Sequence, residues 1–388
     1  DGGTAWGTGS SGYSIDQGVT DVDEATLRAV HLPPYQATIE AGARSLMVSY
    51  SSWGGLKMHA QEYLLTEVLR GEMGFEGFIV SDWAGIDQIS PNYYQAVVAA
   101  INAGVDMNMV PYDAEMFINT MLEAVEKGDI SLERIDQAVT NILTVKFELG
   151  LFENPFSNPE LLAAVGSEAH RALAREAVSK SLVLLKNEGQ LLPLPKEINT
   201  LYVAGTGADD IGMQSGGWTI EWQGKLGDIT PGTTILEAIN NTVSPDTTVV
   251  YDKNGQFGAE ITPGVCLAVI GERPYAEGRG DSSTLRLDTT DLRLVQRMEE
   301  QCDQLVVILL SGRPVIVSEQ IENWDALVAA WLPGTEGQGV VDVLFGDQPF
   351  TGRLSFTWPR TVEQLPFDFD NIEAANPLFP FGYGISEP

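Results

Sequence analysis

The sequence predicts an α/β protein in two parts: the C-terminal part of a TIM-like (β/α)8 barrel, followed by an α/β layer-sandwich domain. Two observations support this prediction. Short apolar runs alternate with helical stretches along the chain, a pattern typical of parallel sheets. The chain is also 388 residues long, which is more than one ordinary domain needs.

The first part, predicted to span residues 1–152, contains three strands typical of a barrel, at 44–50, 78–82 and 104–110. The helices predicted around them are 23–42, 61–72, 94–103, 114–127 and 131–149. Asp21 or Asp23 is the expected cap of the first helix. A closed barrel needs eight strands and about 250 residues. We therefore expect the first barrel strands upstream of Asp1, as partners of this part.

The second part begins after a Pro/Asn-rich connector at 152–159. Residues 153–199 are predicted to form a linker and a connecting helix, 167–179, which runs on into the apolar stretch 182–188. Residues 200–388 are predicted to form the second domain. Its expected strands are 201–205, 247–251, 265–271, 305–310 and 326–331, and its expected helices are 233–241, 290–300 and 338–345.

Composition excludes several classes of partner. The chain carries 22 Lys and Arg against 54 Asp and Glu, a formal net charge of −32. This charge repels the phosphates of nucleic acids and anionic membranes, but it does not penalise a neutral substrate. No apolar run approaches the roughly 20 residues that a membrane span needs. The acidic excess favours solubility in a salty or extracellular setting, and we expect a secreted or periplasmic protein.

The cysteines and histidines show no metal-ligand spacing. Cys266 and Cys302 adjoin apolar runs, so buried free thiols on neighbouring strands are expected, with a disulfide as the alternative. His31, His59 and His170 are scattered, and each is interpreted as a packing or surface residue.

Two acidic segments are candidates for chemistry. Asp82 follows the predicted strand 78–80 at its C-terminal end, where α/β barrels keep their catalytic groups. The alternative for Asp82 is a turn or helix-capping carboxylate. The glycine-rich loop 271–281 follows another buried strand and carries Glu272, Glu277 and Asp281. One of these could act as a second, proton-donating carboxyl, and the alternative is ordinary solvated charge.

Residues 74–83, Gly-Phe-Glu-Gly-Phe-Ile-Val-Ser-Asp-Trp, closely resemble the nucleophile motif of glycoside hydrolase family 3. The resemblance extends along the whole chain and implies that Asp82 attacks the anomeric carbon of a β-linked sugar. Loop 271–281 is similar to the acid/base loop of plant and bacterial exo-glucanases of this family. By position this implies that Glu277 is the acid/base and that Glu272 is structural.

Aromatic and methionine side chains are candidates for sugar binding. Loop 216–224 carries two Trp residues, which either pack half-buried or stack on pyranose rings. The family resemblance implies that Trp83 and Trp222 clamp one sugar ring. It also implies that Tyr50, Met47 and Met109 line the pocket for the terminal sugar, with core packing as the alternative for both methionines.

The resemblance implies a retaining β-glucosidase or exo-β-glucanase that releases glucose from the non-reducing ends of β-glucans and β-glucosides without a cofactor. A β-N-acetylglucosaminidase of the same family and a non-catalytic carbohydrate-binding relic are the alternatives. A retaining mechanism needs its two carboxyl groups roughly 5–5.5 Å apart. The sequence departs from the family at two places: the Lys-His pair that binds sugar hydroxyls falls before Asp1, and Gln88 stands where some plant members have Arg.

Overall fold

The structure, a computed structural model, describes residues 3–9, 13–258, 264–368 and 371–386. The chain divides into two compact units, Asp1–Pro159 and Glu160–Pro388. Both units combine helices with parallel strand pairs, which confirms the predicted α/β class.

The strands of the first unit are short. They are β1 (Val19–Thr20), β2 (Ser45–Met47), β3 (Ser52–Trp53), β4 (Leu56–Lys57) and β5 (Phe78–Val80). β2 and β5 pair in parallel, while β1, β3 and β4 form a separate small sheet. The described residues of this unit form no closed barrel, and the barrel stays a prediction.

The predicted strand at 104–110 is wrong as a continuous strand. Only Met107 bridges to Val80, in parallel. The cause is the Asp106 side chain, because its Oδ2 accepts the main-chain N–H of Ile79 at 2.9 Å and takes a donor that a neighbouring strand's carbonyl would otherwise use. The segment therefore makes a single bridge to β5 and does not form a regular ladder.

The helices of the first unit follow the predicted order. They are α1 (Glu24–Thr26), α2 (Pro33–Glu40), α3 (Tyr93–Ala103), α4 (Ala114–Lys127) and α5 (Leu132–Glu148), with π-helical turns at Leu27–His31 and Tyr63–Glu72 and 3₁₀ turns at Met58–Ala60 and Gly85–Gln88. Asp23 is the cap, since its side chain accepts the N–H of Thr26 at 2.8 Å. The single helix predicted at 23–42 is divided, and α2 begins at Pro33, where a missing N–H costs no helical hydrogen bond.

The core of the first unit surrounds β5. Ile79 is fully buried and packs in one cluster with Val97 and Ile101 of α3 and with Ile86 and Val105. The centre of β5 is therefore fixed by packing from several elements, and the residues that follow it begin from a rigid position.

The described residues of the second unit form a six-stranded sheet. Its strands are β6 (Val183–Asn187), β7 (Thr200–Ala204), β8 (Thr248–Asp252), β9 (Val265–Gly271), β10 (Gln304–Leu310) and β11 (Ala326–Trp331), in the spatial order β6-β11-β10-β9-β7-β8. All neighbours are parallel except β6, which is antiparallel to β11.

The stretch predicted to continue a helix at 182–188 is thus a strand, β6. Its side chains alternate between two hydrophobic clusters, with Leu184 in one and Val183 and Leu185 in the other. A strand buried on both faces appears in sequence as a continuous apolar run, which periodicity alone does not distinguish from a buried helix.

Helices cover both faces of the sheet. They are α6 (Glu168–Ser181), α7 (Ile211–Ser215), α8 (Ile235–Thr242), α9 (Thr289–Gln301) and α10 (Gly337–Leu344), and short 3₁₀ turns lie at Pro159–Ala164, Glu188–Gln190, Thr206–Asp209, Ile321–Asn323 and Val362–Gln364. Along β9, Leu267 and Val269 share a cluster with residues of α6, α8 and α10. Cys266, Ala268 and Ile270 share the other cluster with residues of α9.

The expectation of free thiols is wrong, because Cys266 and Cys302 form a disulfide with their Cα atoms 6.0 Å apart. Cys266 lies in β9, but Cys302 follows the last residue of α9 and is not on a strand. The bond therefore joins the sheet to the end of the helix that covers it.

Candidate functional site

Asp82 lies in the turn that follows β5 and is buried. Its Oδ1 accepts the main-chain N–H of Trp83 at 2.7 Å, which directs the carboxylate. Its main-chain carbonyl accepts the N–H of Gly85 at 3.0 Å and closes the turn. The carboxylate is thus held in one orientation at the carboxyl end of a rigid strand.

Ser81 and Met109 hold the start of the same turn. The main-chain N–H of Ser81 donates to the carbonyl of Met107 at 2.9 Å, and the Ser81 hydroxyl oxygen accepts the N–H of Met109 at 2.8 Å. The carbonyl of Met109 then accepts the N–H of Ala84 at 3.1 Å. These bonds bring Met109, half-buried, next to the Asp82 turn.

Tyr50 also contacts this turn, since its hydroxyl donates to the carbonyl oxygen of Trp83. Burial, followed by the negative charge of Asp82, raises the pKa of the Tyr50 phenol, so the group remains a neutral donor. Met47 lies at the end of β2, opposite Val80, and its side chain is exposed.

Sequence reasoning interpreted His59 as a packing or surface residue and did not indicate its contact with Asp82. The Nε2 atom of His59 accepts the main-chain N–H of Asp82 at 3.0 Å. Burial, with a smaller contribution from the positive charge of Lys57, lowers the pKa of His59 to about 4. The contact joins residues 23 positions apart, and no local pattern in the sequence indicates it.

Trp83 presents an aromatic surface beside Asp82, with 57% of the residue exposed. Its indole N–H donates to the hydroxyl of Tyr112 at 3.4 Å, and the two rings are nearly perpendicular, at 87°. Tyr112 is 85% exposed. Together the two rings form an open aromatic corner, a geometry that suits the apolar face of a pyranose ring.

A second buried carboxylate in this unit, that of Asp106, has a structural environment. It accepts hydrogen bonds from Arg70 at 2.6 Å, Arg134 at 2.9 Å and Asn141 at 3.2 Å. Its charge is compensated by two guanidinium groups, and it supports β5 rather than offering a reactive oxygen.

In the second unit, Glu277 accepts hydrogen bonds from two tryptophans of loop 216–224. Trp218 donates to Oε2 at 3.1 Å, and Trp222 donates to Oε1 at 3.0 Å. All three residues are exposed, Trp218 by 70% and Trp222 by 46%. Gln223 ties the two loops together, since its side-chain oxygen accepts the N–H of Ala276 at 3.0 Å. The sequence analysis did not single out Trp218.

Glu272 has the compensated environment expected of a structural residue. Arg313 donates two hydrogen bonds to its Oε1, at 2.7 and 3.0 Å, and the Tyr275 hydroxyl donates to its Oε2 at 2.7 Å. The Arg313 guanidinium also lies over the Tyr275 ring and donates to the carbonyl of Gly280. These contacts hold both ends of the loop that carries Glu277.

The candidate residues therefore form two groups, one in each unit. The first places Tyr50, Trp83 and Met109 around Asp82, with Met47 on the adjoining strand. The second places Trp222 on Glu277. Gln88 donates to the side chain of Gln17 at 2.8 Å and is engaged within the first unit.

The two units match two family models. The model described as "Glycosyl hydrolase family 3 N terminal domain" matches residues 4–145, and "Glycosyl hydrolase family 3 C-terminal domain" matches residues 182–387. The two matches together cover most of the chain and agree with the resemblance found in its sequence.

Curated proteins with similar sequences carry related names. A lysosomal beta glucosidase of Dictyostelium discoideum is 32% identical over 94% of this chain and 48% of its own length. A periplasmic beta-glucosidase of Salmonella typhimurium is 29% identical over 94% of this chain and 55% of its own length. The chain spans about half the length of these curated relatives.

Solved structures show the same similarity. The exo-1,3/1,4-beta-glucanase ExoP of a Pseudoalteromonas species has a TM-score of 0.90 and 38% identity, over 97% of this chain and 49% of that one. A beta-glucosidase of Listeria innocua, solved in complex with glucose, has a TM-score of 0.85 and 27% identity, over 98% of this chain and 56% of that one.

Proposed function

Because the chain belongs to glycosyl hydrolase family 3, we propose that this protein is a retaining β-glucosidase or exo-β-glucanase. It releases glucose from the non-reducing ends of β-glucans and β-glucosides. The observation that carries the proposal is the buried carboxylate of Asp82, oriented at the end of β5 beside the exposed Trp83. The names of the relatives, β-glucosidases and an exo-glucanase, support the substrate class.

The proposed reaction has two steps. In the first, an Asp82 oxygen bonds to the anomeric carbon while Glu277 gives its proton to the departing glycosidic oxygen. In the second, Glu277 takes a proton from water, whose oxygen displaces Asp82 and releases glucose with retained configuration. The orienting hydrogen bonds on both carboxylates support these roles, and the reaction uses no cofactor.

Sugar binding is proposed for the residues around each carboxylate. Trp83 and Trp222 both have exposed rings able to stack on pyranose faces. Tyr50 and Met109 contact the Asp82 turn, and Met47 lies on the neighbouring strand, so we assign all three to the pocket for the terminal sugar.

A β-xylosidase is the second candidate, because a Formosa agariphila protein named beta-xylosidase is 31% identical over 96% of this chain and 57% of its own length. Glucose differs from xylose by its hydroxymethyl group, so the choice depends on the space around that group. The β-N-acetylglucosaminidase and the binding-only relic are tested in the same experiment.

The test is an assay of the full-length protein on aryl β-glucoside, β-xyloside and β-N-acetylglucosaminide. The highest kcat/KM is expected on the glucoside. Asp82→Ala should lower turnover by several orders of magnitude, and azide should restore it with α-glucosyl azide as product, because azide enters from the face that Asp82 occupied. If Asp82→Ala keeps more than a few per cent of the activity, Asp82 is structural and the proposed mechanism is wrong.

We also propose a secreted or periplasmic location. The Cys266–Cys302 disulfide supports it, since structural disulfides persist mainly in oxidising compartments, and one relative is named as periplasmic. No helix within the described ranges is long and apolar enough to cross a membrane. Labelling of free thiols in protein isolated from the native cell under non-reducing conditions would detect a reduced pair and contradict this location.

A further inference from the structure

His59 packs against the turn that carries Asp82. It belongs to the 3₁₀ turn Met58–Ala60, and its side chain is inaccessible to solvent, at 0% exposure. Its Nε2 atom accepts the main-chain N–H of Asp82 at 3.0 Å. This N–H is a buried donor, and without an acceptor it would leave the turn with an unsatisfied polar group.

The fit between His59 and the turn leaves no spare space. A Cβ atom added to Gly85 would lie 2.4 Å from Nε2 and 2.5 Å from Cε1 of His59. The imidazole therefore occupies the place where any other residue at position 85 would put its side chain. The Asp82–Gly85 turn and the histidine ring are therefore tightly packed against each other, and a shift of one would displace the other.

The ring is a neutral acceptor. Because Nε2 accepts a hydrogen bond, the single hydrogen of the neutral ring resides on Nδ1. Nδ1 has no hydrogen-bond partner among the residues that the structure describes, so a second proton would add an uncompensated buried charge. Burial and the positive charge of Lys57 lower the pKa of His59 to about 4, and the acceptor persists at neutral pH.

We propose that His59 is a positioning residue for the nucleophile: its Nε2 holds the main-chain N–H of Asp82 and so fixes the turn that aims the carboxylate. This inference rests on the proposed function, because the aim of the carboxylate affects a rate only if Asp82 attacks substrate. The effect can be large, since a misplacement of 1 Å costs on the order of 100-fold in rate.

The alternative is a histidine that only fills space. A flat ring without an acceptor, as in His59→Phe, replaces the shape of a filler with one more ring atom. Gln, in contrast, places an amide oxygen at the same number of bonds from Cβ as Nε2 and offers a neutral acceptor. Gly85→Ala leaves His59 intact and displaces its ring from the turn. The three variants separate hydrogen bonding from volume.

The experiment uses the full-length protein and measures glycosyl-enzyme formation by intact mass with a dinitrophenyl 2-deoxy-2-fluoro-β-glucoside, together with kcat, KM and Tm. His59→Phe and Gly85→Ala should slow formation about 100-fold with little change in KM. His59→Gln should stay within about tenfold of the parent. His170→Phe, at an exposed histidine of α6, is the matched control and should leave the rate unchanged.

The inference is overturned if His59→Phe and Gly85→Ala form glycosyl-enzyme at more than half the parental rate. Equal losses in His59→Gln and His59→Phe at unchanged Tm would also overturn it. If His59→Phe does not fold, the rate of glycosyl-enzyme formation in Gly85→Ala tests the inference by itself. The Asp82→Ala variant separates failure of the proposed function from failure of the positioning role. If Asp82→Ala still forms the glycosyl-enzyme, the proposed nucleophile is wrong. If Asp82→Ala is inert while His59→Phe and Gly85→Ala are fully active, only the positioning role of His59 is wrong.

Discussion

The indole N–H of Trp222 lies 3.0 Å from Oε1 of Glu277 and donates a hydrogen bond to it. The residue assigned from sequence to a sugar clamp therefore also holds the proposed acid/base. Trp218 holds the other carboxylate oxygen at 3.1 Å, with its ring centroid 6.4 Å from that of Trp222. A sugar ring that stacks on either indole would contact a residue that orients the Glu277 carboxyl. Substrate binding and proton transfer would then depend on the same side chains.

Trp218→Phe should impair proton donation more than binding. The variant removes one of the two indole donors but keeps an aromatic ring, so we expect about a tenfold lower kcat on a β-linked glucose disaccharide and a small change on dinitrophenyl glucoside. Steady-state kinetics on both substrates measure the difference. Trp6→Phe, at another exposed tryptophan, is the control. Equal effects on both substrates would remove Trp218 from the acid/base function.

Glu277→Ala should show a strong dependence on the leaving group. A poor leaving group such as glucose needs a proton, whereas dinitrophenolate departs without one, so the first step stays fast only for the dinitrophenyl substrate. Glycosyl-enzyme should then accumulate as a burst, and azide should release it as β-glucosyl azide. Loss of both activities without a burst or an azide effect would transfer the role to another carboxyl, with Glu272 and Asp281 as the next candidates.

Tyr112→Ala should weaken binding of substrates that extend beyond the cleaved bond. The Tyr112 hydroxyl accepts the indole N–H of Trp83, and the substitution removes this hydrogen bond, so the indole can rotate. The substitution also removes one of the two rings of the aromatic corner. We expect a several-fold rise in KM for a β-linked disaccharide and little change for an aryl glucoside. Tyr112→Phe keeps the ring without the hydroxyl acceptor and should fall between. Identical KM values for parent and Tyr112→Ala on the disaccharide would disprove the effect.

Asp291 should make the stability of the second unit depend on pH. It lies in the first turn of α9 and accepts the N–H of Gly271 at 3.1 Å, and burial raises its pKa to about 6. The folded pKa lies above the unfolded value, so the native state holds its proton more tightly, and stability decreases as pH rises from 4 through 6. The loss is about 3 kcal/mol, since each pKa unit corresponds to about 1.4 kcal/mol.

Asp291→Asn removes this dependence while keeping an oxygen for Gly271. The Tm of the variant relative to the parent should therefore be several degrees higher at pH 7 than at pH 4.5. Thermal unfolding at the two pH values measures it, with Asp246→Asn as a control at an exposed aspartate of the second unit. The same Tm difference at both pH values would show that Asp291 does not titrate between them.

The sequence by itself determined the elements whose signals are local. β9 and β11 begin and end at the predicted residues, 265–271 and 326–331, because a short uninterrupted apolar run is typical of a strand that is buried on both faces. Asp23 caps its helix for an equally local reason. The short motif around Asp82 also indicated the family, which the family models confirm.

Only the tertiary structure decided the contacts between distant residues. β6 is a strand because β11 pairs with it, and the segment at Asp106 is not a ladder because its carboxylate takes the N–H of Ile79. Cys302 lies within bonding distance of Cys266 because α9 packs on the sheet. His59 and Asp82 meet for the same reason. Hydrogen bonds and disulfides depend on distances of a few ångströms, and these are set by packing rather than by the order of residues along the chain.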